Sequence, residues 1–148
     1  MSIKRFVQSL GIVLVSAFVL VGCGGGSGGS PTPEIGVQGE QLAFDKATLS
    51  VPAGQQITVT FKNSSTSQQH DWVLVNGGDD VAGQVDEAAL ANGGEAEGLD
   101  NVVAATKVLD AGGSGTAQFS GLPAGTYTYL CTVPGHYAAG MKGTLTVQ

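Results

Sequence analysis

The sequence predicts an all-β fold, a Greek-key β-sandwich with one short helical insertion, and three observations carry that expectation. Short stretches alternate apolar residues with Thr, Ser or Gln, as in Ile57-Thr58-Val59-Thr60-Phe61, which is the two-residue period of a half-buried strand. Turn signals recur between them, at Pro52-Ala53-Gly54 and at Gly121-Leu122-Pro123-Ala124-Gly125. One segment, 79–101, breaks this rhythm.

Taken in order, residues 1–22 read as a lipoprotein signal peptide. Lys4 and Arg5 precede a mostly apolar run, 6–21, that is too short for a comfortable membrane span of about 20 apolar residues. Leu20-Val21-Gly22-Cys23 resembles a bacterial lipobox, in which the Cys is lipidated and cleavage follows before it, so Cys23 is the expected lipidation site. An ordinary secretory signal, or an uncleaved anchor beside a chance Cys, is the alternative; each exports the domain. Residues 23–40, rich in Gly, Ser and Pro, read as a lipid-anchored flexible linker. Residues 41–148 form the predicted domain, large enough to bury a core without disulfides. Its strand candidates are 42–44, 48–51, 57–61, 70–75, 102–109, 115–119, 125–130 and 143–147, with a short helix at 85–91.

Loss of residues 1–22 leaves four lysines against twelve acids, a net charge of −8. That excludes nucleic-acid binding as a main role and suits basic or mixed protein partners. There are two cysteines, Cys23 and Cys131. An exported chain would ordinarily pair them. A lipidated Cys23 cannot bridge, which leaves a free Cys131 thiol that a metal would occupy.

The chemistry concentrates in Cys131-Thr132-Val133-Pro134-Gly135-His136-Tyr137-Ala138-Ala139-Gly140-Met141. One thiol, one imidazole and one thioether stand on a single Cys-x4-His-x4-Met loop. The chain's other histidine, His70, precedes an apolar run. Two His, one Cys and a weak axial Met are the ligand set of a blue-copper electron-transfer site. His70, Cys131 and His136 are the strong candidates, Met141 the axial one. Each also has an ordinary reading: a buried small thiol, structural histidines, a Met filling core space. The Val133 N–H is the expected donor to the Cys131 sulfur, which would favour the less charged Cu(I). Trp72 reads as core.

The run from Cys131 to Val147, with His70-Asp71-Trp72-Val73-Leu74, resembles the azurin branch of the cupredoxins, the type 1 blue copper proteins. The lipobox, the linker and the ligand spacing are most similar there to the auracyanins. The resemblance covers 41–148 and implies a cupredoxin-like domain holding one copper ion that cycles between Cu(I) and Cu(II). It implies that His136 lies at a loop apex near solvent. Asp71 stands where the family usually has Asn, and a hydrogen bond from there to Thr132 would fasten the two ligand segments together. Two departures stand out. Azurins usually have one residue fewer between His and Met, so Gly140 lengthens the loop. They usually place Gly before the first His, where Gln69 stands here; its main-chain carbonyl could still approach the metal.

The expected function is that of a membrane-anchored electron carrier in a respiratory or photosynthetic chain, not an enzyme. Electron-donor and electron-acceptor proteins would dock briefly beside His136, where Tyr137, Ala138, Ala139 and Gly140 form a small uncharged patch. No small-molecule substrate is expected. The expected location is a membrane facing the periplasm or the cell exterior. A copper oxidase or nitrite reductase needs more histidines than two, and a dinuclear copper site needs two thiolates. Copper storage or delivery, or a zinc-loaded structural site without a redox role, remains the alternative, since zinc accepts Cys and His.

Overall fold

A computed structural model describes residues 30–148. Cys23 and the predicted signal peptide lie outside the described residues. Eight strands and one helix follow in the order β1 (Glu34–Gly36), β2 (Thr48–Val51), β3 (Gln56–Lys62), β4 (Val73–Val75), α1 (Asp79–Ala91), β5 (Val102–Ala105), β6 (Ser114–Ser120), β7 (Gly125–Leu130) and β8 (Lys142–Val147). They form two sheets, ordered β1-β3-β6 and β2-β8-β7-β4-β5. The expectation of a sandwich with one helix is met, but the sheets are mixed. β1 runs parallel to β3 and β2 parallel to β8, while the other pairs are antiparallel.

Alternation builds the core. In β3, Ile57, Val59 and Phe61 are buried between the sheets, while Gln56 and Lys62 face solvent. Leu49 and Val51 of β2, Phe119 of β6, Tyr127 and Tyr129 of β7, and Leu145 and Val147 of β8 pack into the same cluster, with Trp72 and Leu74. Gly143 on β8 is required by this packing, because a Cβ there would stand 2.3 Å from the Tyr129 ring.

β4 is buried on both faces, which is why it reads as an unbroken apolar run. Leu74 points into the sandwich, and Val73 and Val75 point out onto α1. There they meet Ala82, Val85 and Ala89, one face of the helix, together with Leu130. This buried stripe extends the helix six residues beyond the expected 85–91 at its N-terminal end. Asp79 and Asp80 occupy the first turn, where the helix dipole favours negative charge.

Other boundaries also differ from the sequence reading. Part of the predicted linker, 23–40, is structured: Glu34–Gly36 is a strand, and Ile35 and Val37 are core residues. Pro31 and Pro33, which lack an N–H, serve as acceptors here, from the N–H groups of Thr58 and Thr60 at 3.1 and 3.0 Å. The 42–44 candidate is no strand and keeps only a bridge from Phe44 to Val37. The 70–75 and 102–109 candidates shorten because the ladder between them is interrupted. The Trp72 N–H donates to Thr106 Oγ1 at 3.0 Å, and pairing resumes beyond it only as a bridge between His70 and Leu109.

Candidate metal centre

Two segments meet at one end of the sandwich. His70 lies just before β4, and Cys131 lies just after β7, the strand that pairs with β4. The hydrogen-bonded pair Val73 and Leu130 therefore brings residues 61 apart in sequence together. After Cys131 the chain turns through Gly135, at φ 85°, and Gly140, at φ 101°, both in the left-handed region that glycine tolerates. The Met141 N–H donates to the His136 carbonyl at 3.0 Å, and the Cys131 N–H donates to the Met141 carbonyl at 3.1 Å. The loop thus closes on itself.

His70, Cys131 and Met141 are fully buried, and His136 is 9% exposed. The donor atoms of His70, Cys131 and His136 converge. His70 Nδ1 and His136 Nδ1 are 3.2 Å apart, and Cys131 Sγ lies 3.8 and 3.4 Å from them. A point equidistant from the three atoms lies about 2.0 Å from each, close to ordinary metal–nitrogen and metal–thiolate bond lengths. Burial fits both histidines to this use. It lowers the His70 pKa to about 4, with the His136 charge adding to the effect, and burial lowers that of His136 as well. Both rings are therefore neutral near pH 7 and keep a lone pair for a cation. Burial first, and then the Asp71 carboxyl, push the Cys131 thiol up. The main chains of Asp71 and Val133 pull the other way. A bound cation would supply the charge that turns this thiol into a thiolate.

The Asp71 carboxylate fastens the two segments. Its Oδ1 accepts the Thr132 N–H at 2.7 Å and its Oδ2 accepts the Thr132 hydroxyl at 2.5 Å, all within the interior. Burial raises the Asp71 pKa, and the two Thr132 bonds oppose that rise. Gln69 is exposed, and its side-chain amide donates to Asp110 Oδ1 at 2.7 Å. Trp72 is fully buried against Tyr129, a core residue as expected.

Several supports were missed by the sequence reading. The buried Asn63 amide lies 2.8, 3.0 and 3.1 Å from the carbonyls of Gln68, Leu109 and Asp110, and so pins the loop that leads to His70. Glu40, which sequence placed in the linker, accepts from the Thr66 N–H at 2.7 Å and from the hydroxyls of Ser65, Thr66 and Ser67 at 2.8, 3.1 and 2.9 Å. These bonds lower its pKa to about 2, the Thr66 N–H contributing most. The signal for it was the run Asn63-Ser64-Ser65-Thr66-Ser67, whose donors need an acceptor.

A family model for copper-binding proteins of the plastocyanin/azurin type matches residues 32–148. The chain belongs to this family. Among the relatives of this cupredoxin, auracyanin-A of Chloroflexus aurantiacus is 42% identical over 163 aligned positions that cover 100% of both chains. Auracyanin-B of the same organism is 47% identical over 124 positions, 78% of this chain and 52% of that one. The crystal structure of reduced auracyanin from the photosynthetic bacterium Roseiflexus castenholzii superposes with a TM-score of 0.77 at 53% identity, covering 82% of this cupredoxin and 99% of that chain. Copper is the cofactor of this family of electron carriers, and His70, Cys131 and His136 are the candidate site for it here.

Proposed function

We propose that this cupredoxin shuttles single electrons between proteins of a respiratory or photosynthetic chain while tethered to a membrane through lipid on Cys23. The observation that carries the redox reading is the convergence of two neutral imidazole nitrogens and one thiol within 3.8 Å of one another in the interior. Copper at this point would take up one electron and give it back. The protein's part is to hold the donors still. His70 is fixed between β4 and the Asn63 loop, Cys131 by the Asp71–Thr132 pair, and His136 by the turn that returns to Met141. Ligands that need not move between two charge states cost little rearrangement.

Met141 would supply the weak axial donor in this reading, and the Gln69 carbonyl would be a further weak one. Met141's burial and its two main-chain bonds beside Cys131 and His136 support its part. A main-chain N–H donor to the sulfur, the part expected of Val133, would favour Cu(I) by drawing charge from it. Partners dock where the His136 ring is nearest solvent, among exposed Ala138, Ala139 and Gly140. A small uncharged patch suits brief contact, and the acidic remainder of the surface suits a partner with a basic rim. The lipobox and basic n-region support export and anchoring to a membrane that faces the periplasm or the cell exterior.

The test is the visible spectrum of the oxidised, copper-loaded protein. An intense blue or blue-green band that bleaches on reduction is expected, arising from the Cys131 thiolate and Cu(II). Cys131→Ser should abolish it and leave a folded β domain. A copper-loaded, oxidised protein without the band refutes the redox reading and leaves metal storage, delivery or a colourless zinc site, for which the same donors serve.

A further inference from the structure

The ligand loop is held from outside by the helix. Asp79, the first residue of α1, reaches both ends of the segment that carries His136 and Met141. Tyr137, next to His136, places its hydroxyl 2.8 Å from Asp79 Oδ1 and 2.9 Å from the Asp79 carbonyl. Lys142, next to Met141, donates to Oδ1 and Oδ2 of the same carboxylate at 2.6 and 2.7 Å. The Lys142 ammonium also stands 5.3 Å from the centre of the Tyr137 ring, within cation–π range. The ring itself lies against α1, where a Cβ on Gly83 would be 3.8 Å away.

Two features give this triangle a purpose beyond surface pairing. The loop is bracketed by Gly135 and Gly140, the residues least restrained in their backbone. The helix, by contrast, is bolted to the large sheet by Ala82, Val85 and Ala89 against Val73, Val75 and Leu130. The Lys142–Asp79 pair is exposed, and exposed pairs add little to global stability. What this one does is tie a loop with pliant ends to a rigid body.

We propose that Asp79 and Tyr137 are positioning residues for the copper loop, holding His136 and Met141 in one arrangement whether or not the metal is bound. The helical segment that interrupts the β pattern is then part of the metal site's frame. The inference rests on His136 and Met141 serving as ligands, and its first readout does not require copper.

The experiment compares wild type, Asp79→Ala, Tyr137→Phe and Asp79→Glu, each as the whole chain. In the copper-free protein, amide hydrogen exchange is measured at Ala139, Gly140 and Met141, whose N–H groups bond to the carbonyls of Gly135, Tyr137 and His136. Exchange there should quicken about two- to fivefold in Asp79→Ala and Tyr137→Phe, the range an exposed pair can supply. Amides of β3 and β7 should keep their rates, and Asp79→Glu should restore most of the protection. In the loaded protein, the copper hyperfine splitting should shift in the first two variants and return in Asp79→Glu. Unchanged loop exchange in Asp79→Ala overturns the proposal, as does quickening shared equally by β3 and β7, which would mark a merely structural role. A wild-type protein that shows no copper–thiolate band refutes the ligand reading instead, and the exchange comparison separates the two failures.

Discussion

Replacing Asp71 by Ala should cost far more stability than replacing it by Asn. The carboxylate accepts two bonds from Thr132 in the interior, at 2.7 and 2.5 Å. Alanine leaves a buried N–H and a buried hydroxyl without partners, each at about 1–3 kcal/mol, partly offset because an expensive buried carboxylate goes with them. The net expectation is a loss of about 2–4 kcal/mol. Asparagine keeps the shape. Its Oδ1 can accept the Thr132 N–H while its Nδ2 donates to the Thr132 hydroxyl, which turns to accept. Asp71→Asn should therefore fall within about 1 kcal/mol of wild type. Urea unfolding of the copper-free protein measures this, followed by the fluorescence of the single tryptophan, Trp72, which is fully buried. The midpoint should fall by roughly 1–2 M in Asp71→Ala at an ordinary m-value. Equal losses in the two variants would refute the reasoning, since charge and not the pair of bonds would then be what matters.

Other outcomes follow from the same geometry. Met141→Leu removes a neutral donor at nearly constant volume and should raise the reduction potential while the colour persists; Met141→Gln supplies a harder oxygen and should lower it. Voltammetry reads both, with about 59 mV equal to a tenfold change in equilibrium constant for one electron, and shifts of only a few tens of millivolts in both variants would remove Met141 from the ligand set. Glu40 has its pKa lowered from 4.5 to about 2, so its contribution to stability is complete above 4.5 and is lost as pH falls through about 2. Glu40→Gln should flatten the acid limb of the stability curve between those values, as thermal unfolding at stepped pH would register. Cys23→Ala should release the native protein from membranes, and mass spectrometry of the mature N-terminus should find lipid on Cys23; an unmodified Cys23 removes the anchor.

Much of the candidate site was legible because it is local. Cys131, His136 and Met141 lie within eleven residues, so their spacing alone suggests one loop returning to one point. His70 was legible for a different reason: with two histidines in the chain, no other could complete the set. The strands that alternate cleanly, β3 and β6 among them, were legible because one face of each meets the core and the other meets water. β1 was not, because three residues between prolines and glycines carry too little pattern to separate a strand from a linker.

What the sequence determined by itself was therefore the candidate donor set, the loop that carries most of it, and a sandwich to hold it. The tertiary structure decided how that set is held: the parallel pairing of β1 with β3 and of β2 with β8, the Glu40 anchor on the loop before His70, and the hold of Asp79 on Tyr137 and Lys142. Each of these joins groups dozens of residues apart. A side chain's type is written in the chain, and so is the period of a strand. Which distant donor meets which acceptor depends on how the sheets stack and where the helix docks, and those choices are made only when the whole core is buried at once.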